Sequence, residues 1–304
     1  MDVNLVHLVL TLQLEMDHSR PYPFVAVRPF FSEAFRQAAG CTPPVCSGTR
    51  HHADCVFQKT FAQELSTDPD GVRRHQKPPL PFVFSFPPIP PLPHKGATVE
   101  VGLTLIGTAV NHLATYLNAL YLLFRHERLR RYFAARLVGV STAGPGADRV
   151  SLLDATATFQ PDRLRVLSFA ELAASAVVTE TVSVEFLTPL RIIRDGKPLR
   201  DLPFSALSGA LLRRVSALAY YYGGVTLPFD FPWLASQSRG VVVTGADLRW
   251  AEWRGGAQGL VGRISYAGPV DDLAPFLLLG EILQVGKGSA YGMGRYRLLP
   301  GSPS

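Results

Sequence analysis

The sequence predicts an α+β fold made of tandem ferredoxin-like (RRM-like) domains, each with the element order β-α-β-β-α-β. Three observations carry this prediction: an alternating strand opens the chain, amphipathic helices alternate with further strand patterns, and the second half repeats the plan of the first. With 304 residues, the chain has about the length of two ordinary domains. The patterns divide it into an N-terminal domain over residues 1–175 and a C-terminal domain over residues 176–304.

The first half begins with a strand, because the largely apolar stretch from Val3 continues into an alternation with a period of two from Val6 to Met16. A short helical pattern follows from Phe30 to Ala39, with Gly40 as its C-terminal cap. The remaining patterns of this half are a strand at Thr98–Leu105, an amphipathic helix from Thr108, and strands near Leu137–Val140 and Val150–Ala155.

Residues 41–97 interrupt this plan and are predicted to form a Cys/Pro-rich insertion. A polar stretch surrounds Asp68-Pro69-Asp70-Gly71, and the proline run from Pro78 to Pro93 excludes a helix there. Such a long irregular segment is predicted to be mobile or functional.

The second half follows the same order more clearly. Val182, Val184 and Phe186 alternate in a strand, and an apolar stripe from Phe204 to Leu218 predicts a helix. The later patterns are strands at Arg239–Trp253 and Leu260–Tyr266 joined by a Gly255-Gly256 turn, a helix from Asp271 to Leu283, and a last strand at Tyr296–Leu299.

The composition indicates a globular protein with a polyanionic partner. Apolar residues make up 47% of the chain and charged residues 18%, while the net charge is +6. Arg128 and Arg131 belong to an arginine cluster between residues 125 and 136, which predicts either contacts to an RNA backbone or a solvated helix end. No stretch is apolar enough to span a bilayer, so the sequence predicts a cytoplasmic protein without a membrane partner.

The three cysteines lie within fifteen residues and argue against a disulfide framework, because their number is odd. Together with His51 and His52 they supply zinc ligands of acceptable type, although the spacing matches no zinc-finger pattern well. The sequence therefore predicts no cofactor and a plain cysteine-containing loop. The alternative is a metal site formed by Cys41, Cys46, Cys55 and His52.

A glycine-rich segment between the last helix and the last strand has four glycines in nine positions. Glycine permits positive φ angles, so successive N–H groups can face a phosphate while flanking cations neutralise it. The alternative is a helix cap followed by a strained turn into an edge strand. The residues predicted to bind the anion are Gly286, Lys287, Gly288, Ser289, Gly292, Gly294 and Arg295.

Several ordered segments resemble one family. The likeness covers roughly residues 80–299 and is to the CRISPR-associated precursor-crRNA processing endoribonucleases, a branch of the RAMP superfamily. The segments that carry it are Leu279-Gly280-Glu281, Val285-Gly286-Lys287-Gly288, Gly292-Met293-Gly294-Arg295-Tyr296, Phe186-Leu187-Thr188-Pro189-Leu190, Arg194-Asp195-Gly196, Leu211-Leu212-Arg213-Arg214, Leu218-Ala219-Tyr220 and Gly102-Leu103-Thr104-Leu105-Ile106-Gly107.

The resemblance implies binding of CRISPR repeat RNA and its cleavage without a metal, with the substrate 2′-OH as nucleophile and 2′,3′-cyclic phosphate and 5′-OH ends as products. It leaves open a catalytically silent crRNA-binding subunit of an effector complex, and also a homodimer.

The resemblance also implies a histidine base in the first domain, before a Pro-Phe-hydrophobic stretch. His75 fits this placement, six residues before Pro81, and has Lys77 beside it as a further catalytic candidate. Arg73 and Arg74 are the neighbouring candidates for binding RNA. The alternatives for the base are His51, His52 and His18.

Overall fold

The computed structural model describes residues 3–17, 27–44, 46, 50–75, 77–87, 94–144, 149–154, 156, 158–176, 180–253 and 257–299. The chain forms two compact units. The N-terminal unit is Leu5–Val166, and the C-terminal unit is Met1–Asn4 together with Leu167–Ser304.

The N-terminal unit has a central antiparallel sheet in the strand order β2-β3-β1-β4-β5. The order β2-β3-β1-β4 is the strand order of a ferredoxin-like unit, and β5 adds one more strand at the edge of the sheet. The elements are β1 (Asn4–Leu14), α1 (Val27–Ala38), α2 (Val56–Phe61), α3 (Pro69–Arg74), β2 (Phe82–Ser85), β3 (Thr98–Ile106), α4 (Leu113–Arg125), α5 (Glu127–Arg130), β4 (Ala135–Ala143) and β5 (Arg149–Ser151).

Aromatic rings from three elements fill the core of this unit. Phe31 of α1 lies edge-on to Phe82 and Phe84 of β2, with ring centroids 5.2 Å and 4.9 Å away. Phe35 of α1 contacts Tyr116 of α4 in the same geometry, at 4.7 Å. All five rings are buried, so they join α1, α4 and β2 through apolar contact.

One correction concerns the predicted insertion. Strand β2 lies inside the stretch assigned to it, and so do helices α2 and α3. The prediction missed β2 because it is only four residues long and lies between proline-rich segments.

The C-terminal unit has an antiparallel sheet in the order β10-β11-β7-β12 and a small hairpin of β8 and β9. This order is again that of a ferredoxin-like unit, so the predicted fold class is confirmed. The elements are β6 (Leu167–Ser168), α6 (Phe169–Ala173), β7 (Thr181–Leu190), β8 (Ile193–Arg194), β9 (Lys197–Pro198), α7 (Phe204–Gly223), α8 (Phe231–Gly240), β10 (Val242–Trp253), β11 (Ala257–Ala267), α9 (Ala274–Leu283) and β12 (Tyr296–Leu299).

Two predicted boundaries in this unit are wrong. The strand predicted from Arg239 begins at Val242, because residues 239 and 240 end helix α8. The last helix begins at Ala274, since the two aspartates before it lie in a 3-10 turn. The predicted Gly255-Gly256 turn lies outside the described residues.

Among the described residues, every helix is too short or too polar to cross a membrane.

Candidate functional site

The glycine loop, residues 285–295, connects α9 to β12 and is shaped by close backbone contacts. Gly286, Gly288, Gly292 and Gly294 all have positive φ angles, between 68° and 87°. A Cβ atom at Gly294 would lie 1.8 Å from the carbonyl oxygen of Val285, and one at Gly286 would lie 2.7 Å from that of Arg191. Larger residues at these two positions would therefore force the backbone apart.

Most N–H groups of the glycine loop already have partners. Gly294 donates to Pro189 O and Lys287 donates to Arg191 O, so the loop is fixed to the end of β7. The other donors to partners within the protein are Val285, Tyr291, Gly292, Met293 and Arg295. These N–H groups are therefore not available to a phosphate, and the predicted role of successive N–H groups as anion donors does not hold at these positions.

The two cations of the glycine loop differ in environment. Lys287 is exposed, whereas Arg295 is partly buried, and burial lowers the pKa of its guanidinium. Lys287 is thus the loop cation best placed to meet an anion from solvent.

Neighbouring motif residues hold the unit together. A Cβ atom at Gly280 would lie 2.1 Å from the Tyr296 hydroxyl, which donates to Leu277 O. Arg214 is half-buried, donates from Nε to Leu283 O at 2.8 Å, and has its pKa lowered to about 10 by desolvation of its guanidinium. These contacts give the C-terminal signature a packing role alongside any role in binding.

Two further arginines of the C-terminal unit influence each other. Arg213 of α7 is exposed at its surface, and its pKa is lowered by partial burial of the side chain and then by the charge of Arg194. Arg194 itself is exposed in the β8–β9 hairpin. This pair adds positive charge to the surface of the C-terminal unit.

In the N-terminal unit, His75 lies at the end of α3 and is buried, with an exposed fraction of 9%. Its pKa is lowered by burial and by the charge of Arg74. Arg73 and Arg74, the predicted RNA-binding neighbours, and Lys77, the further catalytic candidate, are all exposed. The histidine itself is the least accessible of the four.

His52 lies in a different setting, at the surface immediately before α2. Lys59 Nζ is 3.0 Å from Asp54 Oδ1, and the pKa of Asp54 is lowered by this hydrogen bond, by the charge of Lys59 and by His52. The pKa of His112 is lowered by burial and by the charge of Lys59. Lys59 therefore acts electrostatically on both Asp54 and His112, while His52 acts on Asp54, and the two histidines are the proton-transfer groups of this set.

The three cysteines converge on a single histidine. The ligand atoms of Cys41, Cys46, Cys55 and His51 all lie within 4.8 Å of one another. The predicted alternative named His52 as the fourth ligand, and this is wrong because His52 is exposed and His51 Nδ1 faces the sulfurs. Burial and the neighbouring thiols raise the pKa of Cys41 to about 12.

The remaining candidates lie apart from this cluster in sequence. Arg128 is exposed, with its guanidinium 5.6 Å from the ring centroid of Phe30, and Arg131 is also exposed. His18 lies outside the described residues.

A family model described as CRISPR-associated endoribonuclease Cas6 matches residues 184–296. The predicted resemblance to the CRISPR-associated processing endoribonucleases is confirmed over this stretch of the chain. A second family model, described as an N-terminal domain, matches residues 4–164. No curated protein sequence matches the chain.

Solved Cas6 structures share the fold. A Cas6 product complex is 20% identical with a TM-score of 0.57, over 97% of this chain and 99% of that chain. A Thermus thermophilus Cas6 is 19% identical with a TM-score of 0.53, over 98% and 100%. A partial Cas6-RT-Cas1–Cas2 complex is 13% identical with a TM-score of 0.59, over 98% of this chain and 46% of that chain.

Sequence reasoning missed three residues of the group around His52. Asp54, Lys59 and His112 are not among the site residues that the sequence predicts. The sequence did contain a signal for this group. Asp54 and Lys59 lie on either side of the first turn of α2, and His52 comes two residues before Asp54.

Proposed function

We propose that this chain binds CRISPR repeat RNA and cuts it to release crRNA. The observation that carries the proposal is the match of residues 184–296 to the Cas6 endoribonuclease family. A product complex and a substrate mimic complex of Cas6 proteins share the fold of this chain. A CRISPR effector complex and a second copy of the chain remain predicted further partners.

The proposed reaction is an internal transesterification. The 2′-oxygen forms a bond to the adjacent phosphorus as the bond from phosphorus to the 5′-oxygen breaks, which leaves a 2′,3′-cyclic phosphate and a 5′-OH. A base takes the proton from the 2′-OH, an acid protonates the departing 5′-oxygen, and a cation stabilises the phosphorane. The chemical step needs no metal ion.

We assign the proton transfer to His52 and the phosphorane contact to Lys59. The exposure of His52 supports this choice, because a base must come within hydrogen-bond reach of the proton that it removes. His75 remains the competing candidate, but its burial separates it from solvent. His112 is the further proton-transfer group near Lys59.

RNA binding is assigned to exposed cations. In the C-terminal unit these are Lys287 of the glycine loop and Arg194, and in the N-terminal unit they include Arg73, Arg128 and Arg131. Cations on a backbone-binding surface make affinity depend on salt.

The test uses end-labelled repeat RNA with the protein in excess, without added divalent ions and with a brief EDTA treatment. We expect cleavage to persist and the product to carry a 2′,3′-cyclic phosphate. A 2′-deoxy substitution at the nucleotide 5′ of the cut should abolish cleavage, because it removes the nucleophile. His52→Ala should slow the single-turnover rate by about 10²–10⁴-fold, and His75→Ala should change it little.

Three results would contradict different parts of the proposed function. If His75→Ala is slow and His52→Ala is normal, the assignment of the base is wrong. Cleavage of the 2′-deoxy RNA would exclude the transesterification. If the parent protein binds the repeat and never cuts it, the chain is a silent RNA-binding member.

A further inference from the structure

The segment between α1 and α2 brings three thiols and one imidazole together. Gly40, with a φ of 62°, follows the end of α1, and the N–H of Cys41 donates to Arg36 O. The N–H of Cys46 donates to Thr42 O, and Cys55 is the N-cap of α2. The three cysteines are spread over fifteen residues, and the backbone around each of them is fixed by its own hydrogen bond or by the start of a helix.

The distances fit one tetrahedral metal ion. Zn–S bonds of about 2.3 Å and Zn–N bonds of about 2.05 Å at the tetrahedral angle place sulfur and nitrogen about 3.6 Å apart. His51 Nδ1 lies 3.3 Å from Cys41 Sγ and 3.5 Å from Cys55 Sγ. All four ligand atoms lie within 4.8 Å of one another, and two sulfurs on the same ion would be about 3.8 Å apart.

Packing gives an independent reason for a ligand at this point. Among the described residues between 41 and 55, the cysteines are the only buried side chains. Thr42, Pro43, Pro44, Ala53 and Asp54 are all exposed. The described part of this segment therefore lacks an apolar core of its own, and its buried side chains are all metal-binding groups.

The ligand set also selects the metal. Thiolate and imidazole ligands in a closed tetrahedral arrangement suit zinc, and sites with four protein ligands are structural. The sequence spacing is Cys-x4-Cys-x4-His-x3-Cys, in which each interval lies within the two to five residues that separate paired ligands in zinc sites, although the whole pattern is not that of a zinc finger. All three cysteines are free thiols in the structure, so no disulfide competes for the sulfurs.

We infer that Cys41, Cys46, His51 and Cys55 bind one structural Zn²⁺ ion. The ion fixes the segment between α1 and α2, including the adjacent His52, and all four of its coordination positions are filled by protein. It therefore takes no part in the chemistry. This inference does not depend on the proposed RNA cleavage.

The test measures metal directly. The full chain is purified without a polyhistidine tag, in reducing buffer without chelator, and its metals are quantified by plasma mass spectrometry. We expect about one zinc per chain. Cobalt exchanged into the site should give the visible absorption of a tetrahedral thiolate complex. A mercurial reagent that blocks thiols should release the zinc in proportion to the sulfurs that it modifies.

Adjacent histidines provide a matched pair of variants. His51→Ala should lose the zinc and lower the melting temperature, whereas His52→Ala should keep both at the parent values. His51→Cys should retain the metal with four sulfur ligands and a stronger sulfur-to-cobalt charge-transfer band. This variant keeps the test decisive if His51→Ala or a Cys→Ser variant fails to fold.

Several results would overturn the inference. They are the absence of zinc together with no cobalt spectrum, iron in place of zinc, a disulfide between two of the cysteines, and retention of zinc in His51→Ala. Slow loss of cleavage during long EDTA incubation, in step with loss of zinc and of folded structure, would support it. Immediate loss of cleavage with zinc still bound would count against metal-free chemistry and leave the zinc site intact.

Discussion

His51 and His52 are neighbours in sequence with different surroundings. His51 Nδ1 faces two cysteine sulfurs, whereas the His52 side chain is exposed and its charge lowers the pKa of Asp54. A difference of one position before a helix turns a side chain in another direction, and sequence spacing alone did not distinguish the two. The cysteine-rich segment could be recognised from the sequence, but the identity of its fourth ligand depended on the fold.

His75 leads to a prediction on pH. Its folded-state pKa is lowered by burial and by Arg74, so it lies below the unfolded value of about 6.5. The unfolded chain then binds more protons, and the stability that neutral His75 contributes is present above about pH 6.5 and is lost as pH falls through the folded pKa. We expect His75→Asn to have an unfolding free energy that changes less than that of the parent between about pH 7 and pH 5.

Urea unfolding at a series of pH values measures this difference. His94→Asn is the control, because His94 is exposed. Both proteins retain the cysteine cluster, so its own acid sensitivity cancels in the comparison. Identical pH profiles for His75→Asn and the parent would show that His75 is not held neutral by burial.

At the scale of elements, regular periodicity was the reliable signal. The alternation in β1 and the apolar stripes of α4 and α7 correspond to strands and helices in the structure. Helix α8 was missed because only Leu234 and Ser238 of its residues are buried, which leaves no apolar stripe. The hydrogen bonds of the glycine loop could not be predicted, because they depend on the end of β7, about a hundred residues earlier in the chain.

Two glycines with similar φ angles allow the cost of a left-handed backbone to be measured apart from the cost of a steric clash. Gly294 has a φ of 68° and Gly196 has a φ of 74°. A Cβ atom at Gly196 would have no atom within 4 Å, whereas one at Gly294 would lie 1.8 Å from Val285 O. Gly196→Ala should cost about 1–2 kcal/mol from the left-handed conformation alone, and Gly294→Ala should cost more than about 4 kcal/mol or prevent folding.

Denaturant unfolding of the two variants measures this difference. If both substitutions cost the same free energy, the close contact at Gly294 would be relieved by a small backbone shift, and the glycine would be required only for its φ angle.

At the scale of the whole molecule, the net charge counted from the sequence differs from the charge that is exposed to solvent. The formal charge of +6 includes Arg214 and Arg295, which are only partly exposed to solvent in the C-terminal unit. Sequence reasoning therefore identified a basic protein with two ferredoxin-like units, and could not tell which cations face solvent. Lys287 and His52 are exposed in different units, so their proposed roles in binding and in chemistry can be tested separately.

The last prediction is that one substitution changes the affinity for RNA and another changes the rate of cleavage. In single-turnover cleavage at a series of protein concentrations, Lys287→Glu should raise the half-saturating concentration about tenfold, which is about 1.4 kcal/mol. The plot of log affinity against log salt should become shallower by about 0.7, since one phosphate contact is lost. The maximal rate should stay within a few-fold. His52→Ala should lower the maximal rate and leave the half-saturating concentration within a few-fold of the parent value. In the double variant the change in half-saturating concentration and the change in maximal rate should both be present, so that their effects multiply.

Lys95→Glu is the control for Lys287→Glu, because it makes the same change of charge at an exposed lysine of the N-terminal unit. It should leave the half-saturating concentration within a few-fold of the parent value. An equal loss of affinity in Lys95→Glu would show that net charge, and not the glycine loop, determines binding. A lower maximal rate in Lys287→Glu at unchanged affinity would instead place Lys287 among the groups that act on the reacting phosphate.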